Sequence, residues 1–430
     1  MSETGDEVED GLGARREAGR LLEAALARRN GLEEAAGAPG FRALSPRDRG
    51  FARALALATL RWLGPIDRAL DAKLRSPPPD SVRTILRIGA AQLWALKTPA
   101  WAAVDTGVRL VEAGGGTKPF KCLVNAVLRG LARDGAPEAT PEAFLPDWLW
   151  ARWRGAYGEE GARGVAALVR GEPPTDLSVK GEAEALAEAL EGRVLPTGSV
   201  RTERRGDVSA WPGYAEGGWW VQDAAAALPA RLLAVQEGET VLDMCAAPGG
   251  KTLQLAAAGA RVTAVDRSAA RLKRLGQNLE RTGLAAEVVT ADAAAWEDGR
   301  EFDAVLLDAP CTATGTFRRH PDVLWAAKPA EVGQLAALQV RLLDSAAARV
   351  RVGGRLVYCT CSLEPEEGEA QAEAFLARTP GFERAAIAAG EAGAPAEAST
   401  VEGDLRVLPS MWAENGGLDG FYIARFVRVS

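Results

Sequence analysis

Thr240-Val-Leu242 leads into Asp243-Met-Cys-Ala-Ala-Pro-Gly-Gly-Lys-Thr-Leu-Gln254, and the next apolar run, Arg261-Val-Thr-Ala-Val265, closes on Asp266. An apolar run that ends in a turn of small residues and opens a helix predicts strand, loop and helix N-terminus, with backbone N–H groups turned towards a ligand. An acid at the end of the following strand is placed to accept ribose hydroxyls. The pattern is that of a nucleotide-cofactor site. The turn alone leaves a methyl donor, a dinucleotide or a phosphate open. It lacks the GxGxxG spacing of dinucleotide folds, and Cys245 stands where a Walker A loop needs its first glycine.

Working outward from this turn, apolar runs alternate with helical periodicity: Thr240 to Met244, a helix from Lys251, Arg261 to Asp266, Ser268 to Thr282, Glu287 to Thr290, Phe302 to Leu307, Pro329 to Val350, Arg355 to Thr360 and a helix Glu366 to Thr379. That alternation predicts a mainly parallel, doubly wound sheet. A low-complexity stretch, Ala385 to Thr400, precedes a last apolar run, Gly420 to Val429. An antiparallel strand there fits a methyltransferase sheet better than a dehydrogenase sheet.

Upstream, residues 14–135 read as helix throughout. Ala18, Leu21, Leu22, Ala25 and Leu26 recur at three and four, as do Phe51, Leu55, Leu57, Ala58, Leu60 and Leu63, and Ile85, Ile88, Ala91, Leu93 and Leu96. Gly37 to Gly40, Ser76-Pro-Pro-Pro79 and Gly114-Gly-Gly116 divide the runs into short helices, predicting a compact all-helical domain. Residues 136–225 are less regular, with strand-like Thr175 to Val179 and Thr197 to Arg204 around a helix Glu182 to Glu191. They read as a connector with a small α/β subdomain, and 226–430 as the cofactor-binding domain. Residues 1–13 read as an acidic disordered tail.

The net charge of −7 over 430 residues hides an asymmetry. Residues 11–135 carry 21 Lys and Arg against 11 Asp and Glu, while residues 1–10 carry five acids and no base. A basic helical third is the footprint expected of a domain facing phosphates. No run approaches the roughly 20 apolar residues of a membrane span, and the acidic start differs from a secretory signal, so a cytoplasmic location without membrane partners is expected. Five cysteines, with His320 the single histidine, leave a disulfide framework and a zinc site poorly supplied, and no metal is expected.

In an open α/β sheet ligands collect at the carboxyl ends of strands. Four ends carry chemistry: Cys245 to Lys251, Asp266, Asp308-Ala-Pro-Cys-Thr-Ala-Thr-Gly315 and Cys359-Thr-Cys-Ser362. Asp292, after the third strand, is within reach of an adenine amino group. Cys311 and Cys361 lie at two strand ends that the topology brings to one rim. Carbon 5 of a pyrimidine is too weak a nucleophile to take a methyl group unaided. A thiolate adding at carbon 6 makes it enamine-like, and a second group must then help remove the proton and release the thiol. Asp308 is placed to hydrogen-bond cytosine as the thiolate adds. Cys359 alternates into an apolar strand and reads as packing, which favours Cys361 as nucleophile; Cys122 reads as core and Cys245 as a wall of the turn. Arg318, Arg319 and His320 suit phosphate and base positioning. Trp211, Tyr214, Trp219 and Trp220 are candidates for base stacking or for packing.

Asp243-Met-Cys-Ala-Ala-Pro-Gly-Gly-Lys-Thr252, Asp308-Ala-Pro-Cys-Thr-Ala-Thr-Gly315, Arg318-Arg-His-Pro-Asp322 and Thr360-Cys-Ser362 resemble the RNA cytosine-5 methyltransferases, more narrowly the bacterial RsmB (Sun/Fmu) type that modifies small-subunit ribosomal RNA. Leu123-Val-Asn-Ala-Val-Leu-Arg129 resembles the NusB-type RNA-binding module of those enzymes, and Trp219-Trp-Val-Gln-Asp223 their lead-in to the catalytic domain. The resemblance implies a Rossmann-like methyltransferase domain behind a NusB-like domain. It implies S-adenosylmethionine held by Cys245, Ala246, Ala247, Pro248, Gly249, Gly250, Lys251, Asp266, Arg271, Asp292 and Asp308. It also implies Cys361 as nucleophile, Cys311 in product release, and as partner 16S ribosomal RNA, naked or in an early assembly particle, met by a monomer. Cys359 departs from the pattern, which has a small residue such as Ala before the Thr-Cys pair. Transfer RNA as target, a non-catalytic RNA-binding factor and a dinucleotide-dependent oxidoreductase are the competing readings; the last leaves both rim cysteines unexplained.

Overall fold

The computed structural model describes residues 3–28 and 31–430, which divide into two compact units. One holds the chain up to Gly171 together with Arg319–Lys328; the other holds Glu172–Arg318 and Pro329–Ser430. The expected domain borders therefore shift. Residues 136–171, expected in the connector, belong with the helical unit, and the rest of the connector belongs with the cofactor-binding sheet. The first helix, Glu3–Ala27, takes up most of the tail expected to be disordered over 1–13. Residues 1 and 2 of that tail lie outside the described residues.

The helical unit is built on the predicted apolar spacing. Ala18, Leu21, Leu22 and Ala25 of Glu3–Ala27 are buried against Leu55 and Leu60 of Pro46–Arg61 and against Leu86, Ile88 and Ala91 of Asp80–Trp94. Ser45 caps Pro46–Arg61 by accepting from the Asp48 N–H at 3.1 Å, satisfying one of the helix's orphan donors. Lys121–Asp134 packs Val124, Leu128 and Leu131 into the same core and stops at Gly135, whose φ of +76° continues no helix. Cys122 is exposed at the start of this helix rather than in the core. Asp147–Ala167 adds the fully buried Trp153.

The second unit contains two sheets. The small one joins β1 (Thr175–Val179), β2 (Arg193–Val194), β3 (Val200–Thr202) and β4 (Trp219–Val221) in the order β2-β3-β1-β4, antiparallel throughout. Its core is Leu177, Val200, Trp211 and Trp219, and the Asp176 carboxylate grips the Arg201 guanidinium at 2.6 and 2.7 Å beneath the surface. Trp211, Trp219 and Trp220 are all buried, which settles them as packing and removes them from base stacking.

The large sheet contains β5 (Thr240–Met244), β6 (Arg261–Asp266), β7 (Glu287–Thr290), β8 (Phe302–Asp308), β9 (Val350–Thr360), β10 (Phe382–Arg384), β11 (Leu405–Val407) and β12 (Phe421–Arg428). Its order is β10-β12-β9-β8-β5-β6-β7, with β11 on β12. Strands β5 to β9 pair in parallel, and β12 runs antiparallel between β9 and β10, as the last apolar run predicts. The two faces bury Leu242, Val305 and Leu356 on one side and Val241, Leu306 and Val357 on the other. Strands buried on both faces need the near-continuous apolar runs from which they were recognised. Ile387, Ala394 and Ala398 of the low-complexity stretch are buried against this sheet. Between β5 and β8 the chain order reverses, opening the crevice where such sheets bind ligands.

Candidate functional site

The turn after β5 is shaped by backbone that few residues adopt. Cys245 takes φ +61° and Gly249 φ +109°; a side-chain carbon at position 249 would meet Leu275 Cδ1 at 2.3 Å. The helix Gly250–Ala257 starts immediately beyond. Ala246 N–H donates to the Val265 carbonyl at 3.0 Å, and Ala247 N–H to Asp266 Oδ2 at 3.1 Å, so the turn is tied to the end of β6. Asp266 also accepts from the Ser268 N–H at 2.8 Å, and Arg271 spans Asp266 Oδ2, at 3.3 Å, and the Ala247 carbonyl. Asp292, beyond β7, is exposed and spends one oxygen on the Ala294 N–H. Asp243 is buried at the foot of the turn: Thr252 donates to one oxygen at 2.6 Å, while the other has no partner, and burial raises its pKa to about 7.

Lys251 joins the turn to the end of β8. Its ammonium meets Asp308 Oδ2 at 2.7 Å and lies 5.2 Å over the Phe421 ring. Burial works to lower its pKa, but the Asp308 carboxylate outweighs that and raises it, so Lys251 holds its proton between turn and rim. The other oxygen of Asp308 faces Cys359 Sγ at 3.5 Å, across the β8–β9 register that pairs these two residues. Cys359 is fully buried, as its place in the apolar strand predicts. Burial raises the pKa of Cys359, and also that of Cys245, so both remain thiols.

Cys311 and Cys361, 50 positions apart in sequence, bring their sulfurs to 3.5 Å. Ala309 N–H donates to the Cys359 carbonyl and Gly315 N–H to the Cys361 carbonyl, each at 3.0 Å, which pins the loop after β8 along the end of β9. Cys311 is buried and Cys361 partly open. The hydrogen bond with Cys361, then burial, raises the Cys311 pKa well above that of a free thiol, so Cys311 holds its proton at rest.

The sequence pattern places Glu367 inside a helix starting at Glu366, but that helix begins at Glu369, and Pro365–Glu367 is a short turn that turns the Glu367 carboxylate inward. Nothing in its local run, Glu364-Pro-Glu-Glu367, separates it from an ordinary acidic helix start.

Arg318 is corrected. It is buried, bonded to Asp223 Oδ2 at 3.2 Å and the Gly416 carbonyl at 2.5 Å, with Asp419 at 3.5 Å, and no phosphate can reach it. Arg319 and His320 belong to the other unit, where both are half-buried. Burial, then Arg319, lowers the His320 pKa to about 4, which fits a neutral imidazole. Among the described residues no group of three or more His, Cys, Asp and Glu side chains is arranged to hold a metal ion, and no helix is long and apolar enough to cross a membrane.

Residues 230–427 match the family model described as 16S rRNA methyltransferase RsmB/F, and residues 13–133 match the NusB family. Ribosomal RNA small subunit methyltransferase B of Pseudomonas syringae pv. tomato is 39% identical over 412 residues, spanning 89% of this chain and 90% of that one. The protein of the same name from Xanthomonas campestris pv. campestris is 38% identical, spanning 86% and 89%. Among solved structures, PH0851 superposes with a TM-score of 0.79 at 24% identity, over 97% of this chain and 98% of that one, which is a likeness of fold. A methyltransferase homologue from Pyrococcus horikoshii superposes with a TM-score of 0.55 at 26% identity, over 65% and 93%. With its fold, its strand-end turn and its relatives in agreement, the chain belongs to the RsmB/F family of methyltransferases.

Proposed function

We propose that the protein transfers a methyl group from S-adenosylmethionine to carbon 5 of a cytosine in 16S ribosomal RNA through a covalent adduct with Cys361. The observation that carries this reading is the pair of thiols, Cys311 and Cys361, whose sulfurs lie 3.5 Å apart just beyond the paired strand ends that carry Asp308 and Cys359. The turn fits the donor: it opens the helix Gly250–Ala257 at its N-terminus, and acids stand at the ends of β6 and β8 and just beyond β7. Cys245 to Lys251 and Asp308 line the donor's seat, Asp266 and Arg271 hold its ribose side, and Asp292 offers its second oxygen to the base. S-adenosylmethionine supplies an electrophilic methyl group on a sulfonium.

Cys361 adds as thiolate to carbon 6, and the electron pair displaced to carbon 5 takes the methyl group. Asp308, held by Lys251, hydrogen-bonds the cytosine ring as the sulfur adds. The carbon 5 proton then leaves to a base, its electron pair reforms the ring double bond, and the bond from carbon 6 to Cys361 breaks. Water takes that proton, and the Cys311 thiol, 3.5 Å from the Cys361 sulfur and protonated at rest, hydrogen-bonds the thiolate as it departs. The relatives' shared name supports the ribosomal target over transfer RNA. The basic helical third supports an RNA partner.

With tritiated donor and small-subunit RNA lacking the modification, the protein is expected to label cytosine carbon 5, and Cys361→Ala to lose all labelling. Full activity in Cys361→Ala overturns the nucleophile assignment. Cys311→Ala is expected to retain RNA covalently on a denaturing gel, and no such band overturns the release role. Bisulfite sequencing of RNA from a deletion strain identifies the cytosine.

A further inference from the structure

Glu367 is fully buried behind the two thiols, where the mechanism above gives it no part. Its two oxygens are surrounded by donors. The Thr312 N–H reaches them at 2.9 and 3.1 Å, the Thr312 and Ser362 hydroxyls each at 2.5 Å, and the Gln339 amide at 3.3 Å. Thr312 directly follows Cys311 and Ser362 directly follows Cys361. One carboxylate therefore joins the residue after each thiol. Its backbone is fixed as well, because its carbonyl accepts from the Tyr358 hydroxyl at 2.7 Å and from the Thr360 hydroxyl at 3.1 Å, both on β9. The Gln339 amide also donates to the Pro310 carbonyl at 2.9 Å, so the Cys311 peptide is flanked on both sides by this network.

We infer that Glu367 is the positioning residue that sets the Cys311–Cys361 separation, tying the loop after β8 to the end of β9 so that addition and release act on one cytosine. This rests on the two-thiol reading above. Charge is part of the device. Burial raises the Glu367 pKa, yet every group at its oxygens donates, so the pocket accepts a carboxylate and not an acid bearing its own proton. The same charge is one of the influences that keep Cys311 protonated at rest. An amide in its place keeps one acceptor oxygen and no charge, so the Thr312 N–H and the two hydroxyls can no longer all donate to it and the tie loosens. The Cys245 to Gly250 turn makes none of these bonds, so the donor seat is independent of Glu367.

The test uses the full chain with tritiated donor and small-subunit RNA transcript. Glu367→Gln is expected to slow turnover by about 10- to 100-fold, the scale of a misplaced reacting group. It is also expected to prolong the covalent RNA adduct, to shift the pH–rate profile, and to leave the donor Kd within about 2-fold of wild type. Glu367→Asp, which keeps the charge, is expected to recover part of the rate. Wild-type turnover and adduct lifetime in Glu367→Gln overturn the inference, and so does a donor Kd that weakens by the same factor as the rate. Should Glu367→Gln fail to fold, Thr312→Val, which removes one hydroxyl bond and leaves the N–H, carries the test: a milder form of the same adduct persistence supports the inference and wild-type release overturns it. Activity in Cys361→Ala defeats the thiol reading itself. An inactive Cys361→Ala and a trapped Cys311→Ala adduct beside an unaltered Glu367→Gln defeat only the positioning role.

Discussion

Arg318 and Asp243 show how far a side chain's neighbours redirect its chemistry. In sequence Arg318 opens Arg-Arg-His-Pro-Asp322 and looks outward at a phosphate; in the fold its guanidinium is enclosed by Asp223, Asp419 and the Gly416 carbonyl. Removing one partner of such a cluster leaves buried charge unpaired, so Arg318→Ala is expected to cost about 3–5 kcal/mol in urea unfolding. A surface phosphate contact would leave the unfolding midpoint where it is. Asp243 has the opposite history, since its burial follows from its place inside β5. Its folded pKa of about 7 lies above the roughly 3.9 of an unfolded aspartate, so the folded chain keeps a proton that the unfolded chain releases. Stability attributable to Asp243 therefore falls as pH rises from about 4 to about 7 and stays low above that. Asp243→Asn, which can still accept from Thr252, is expected to gain in melting temperature relative to wild type between pH 4 and pH 8. A constant difference across that range counts against the buried acid. Both thiols and the acids at the strand ends were legible because each follows an apolar run. The partners of Arg318 were not, because Asp223 and Asp419 lie about a hundred positions away on either side and no local pattern couples them.

Elements carried their identity in the sequence better than their edges did. The parallel strands β5 to β9 and the antiparallel β12 follow from apolar runs alternating with helical ones, a pattern that leaves few arrangements of layers. What the pattern could not convey is how closely two loops approach. Gly315 sits where a side-chain carbon would meet the Gly420 carbonyl oxygen at 2.2 Å, and its own carbonyl accepts from the Gly420 N–H at 2.9 Å. The loop after β8 is thereby seated between the end of β9 and the start of β12, with no slack for a methyl group. Gly315→Ala is expected to lower turnover by at least about 10-fold while the donor Kd stays within about 2-fold, since the turn after β5 is untouched. Equal losses in both would place the strain elsewhere. Glu367 escaped for a related reason: an acid beside a helix start is ordinary, and only the meeting of two loops and a helix gives it four donors.

At the scale of the whole molecule the division into helical and sheet units was legible, and its border was not. Ten residues between Arg318 and Pro329 leave the sheet unit and are counted with the helices, where Trp325 packs on the helical core and donates to the Leu60 carbonyl at 3.0 Å. A half-buried indole with a satisfied N–H stabilises its surroundings, so Trp325→Ala is expected to cost about 2–3 kcal/mol, somewhat less than a fully buried Trp. Loss of the helical unit's amide protection in hydrogen exchange, with that of β5 and β6 retained, locates the effect; uniform loss counts against it. A further consequence lies in the order of synthesis. Strand β12 is made after every other strand of its sheet, yet it is an interior member, pairing Tyr422 with Thr360 and Ile423 with Cys359. While the ribosome is still translating residues 361–420, β9 presents an open, apolar edge with nothing to pair it. The nascent chain thus spends that interval as a sticky intermediate, dependent on chaperones or on speed, and the rim that carries Cys311 and Cys361 takes shape only when the last strand arrives.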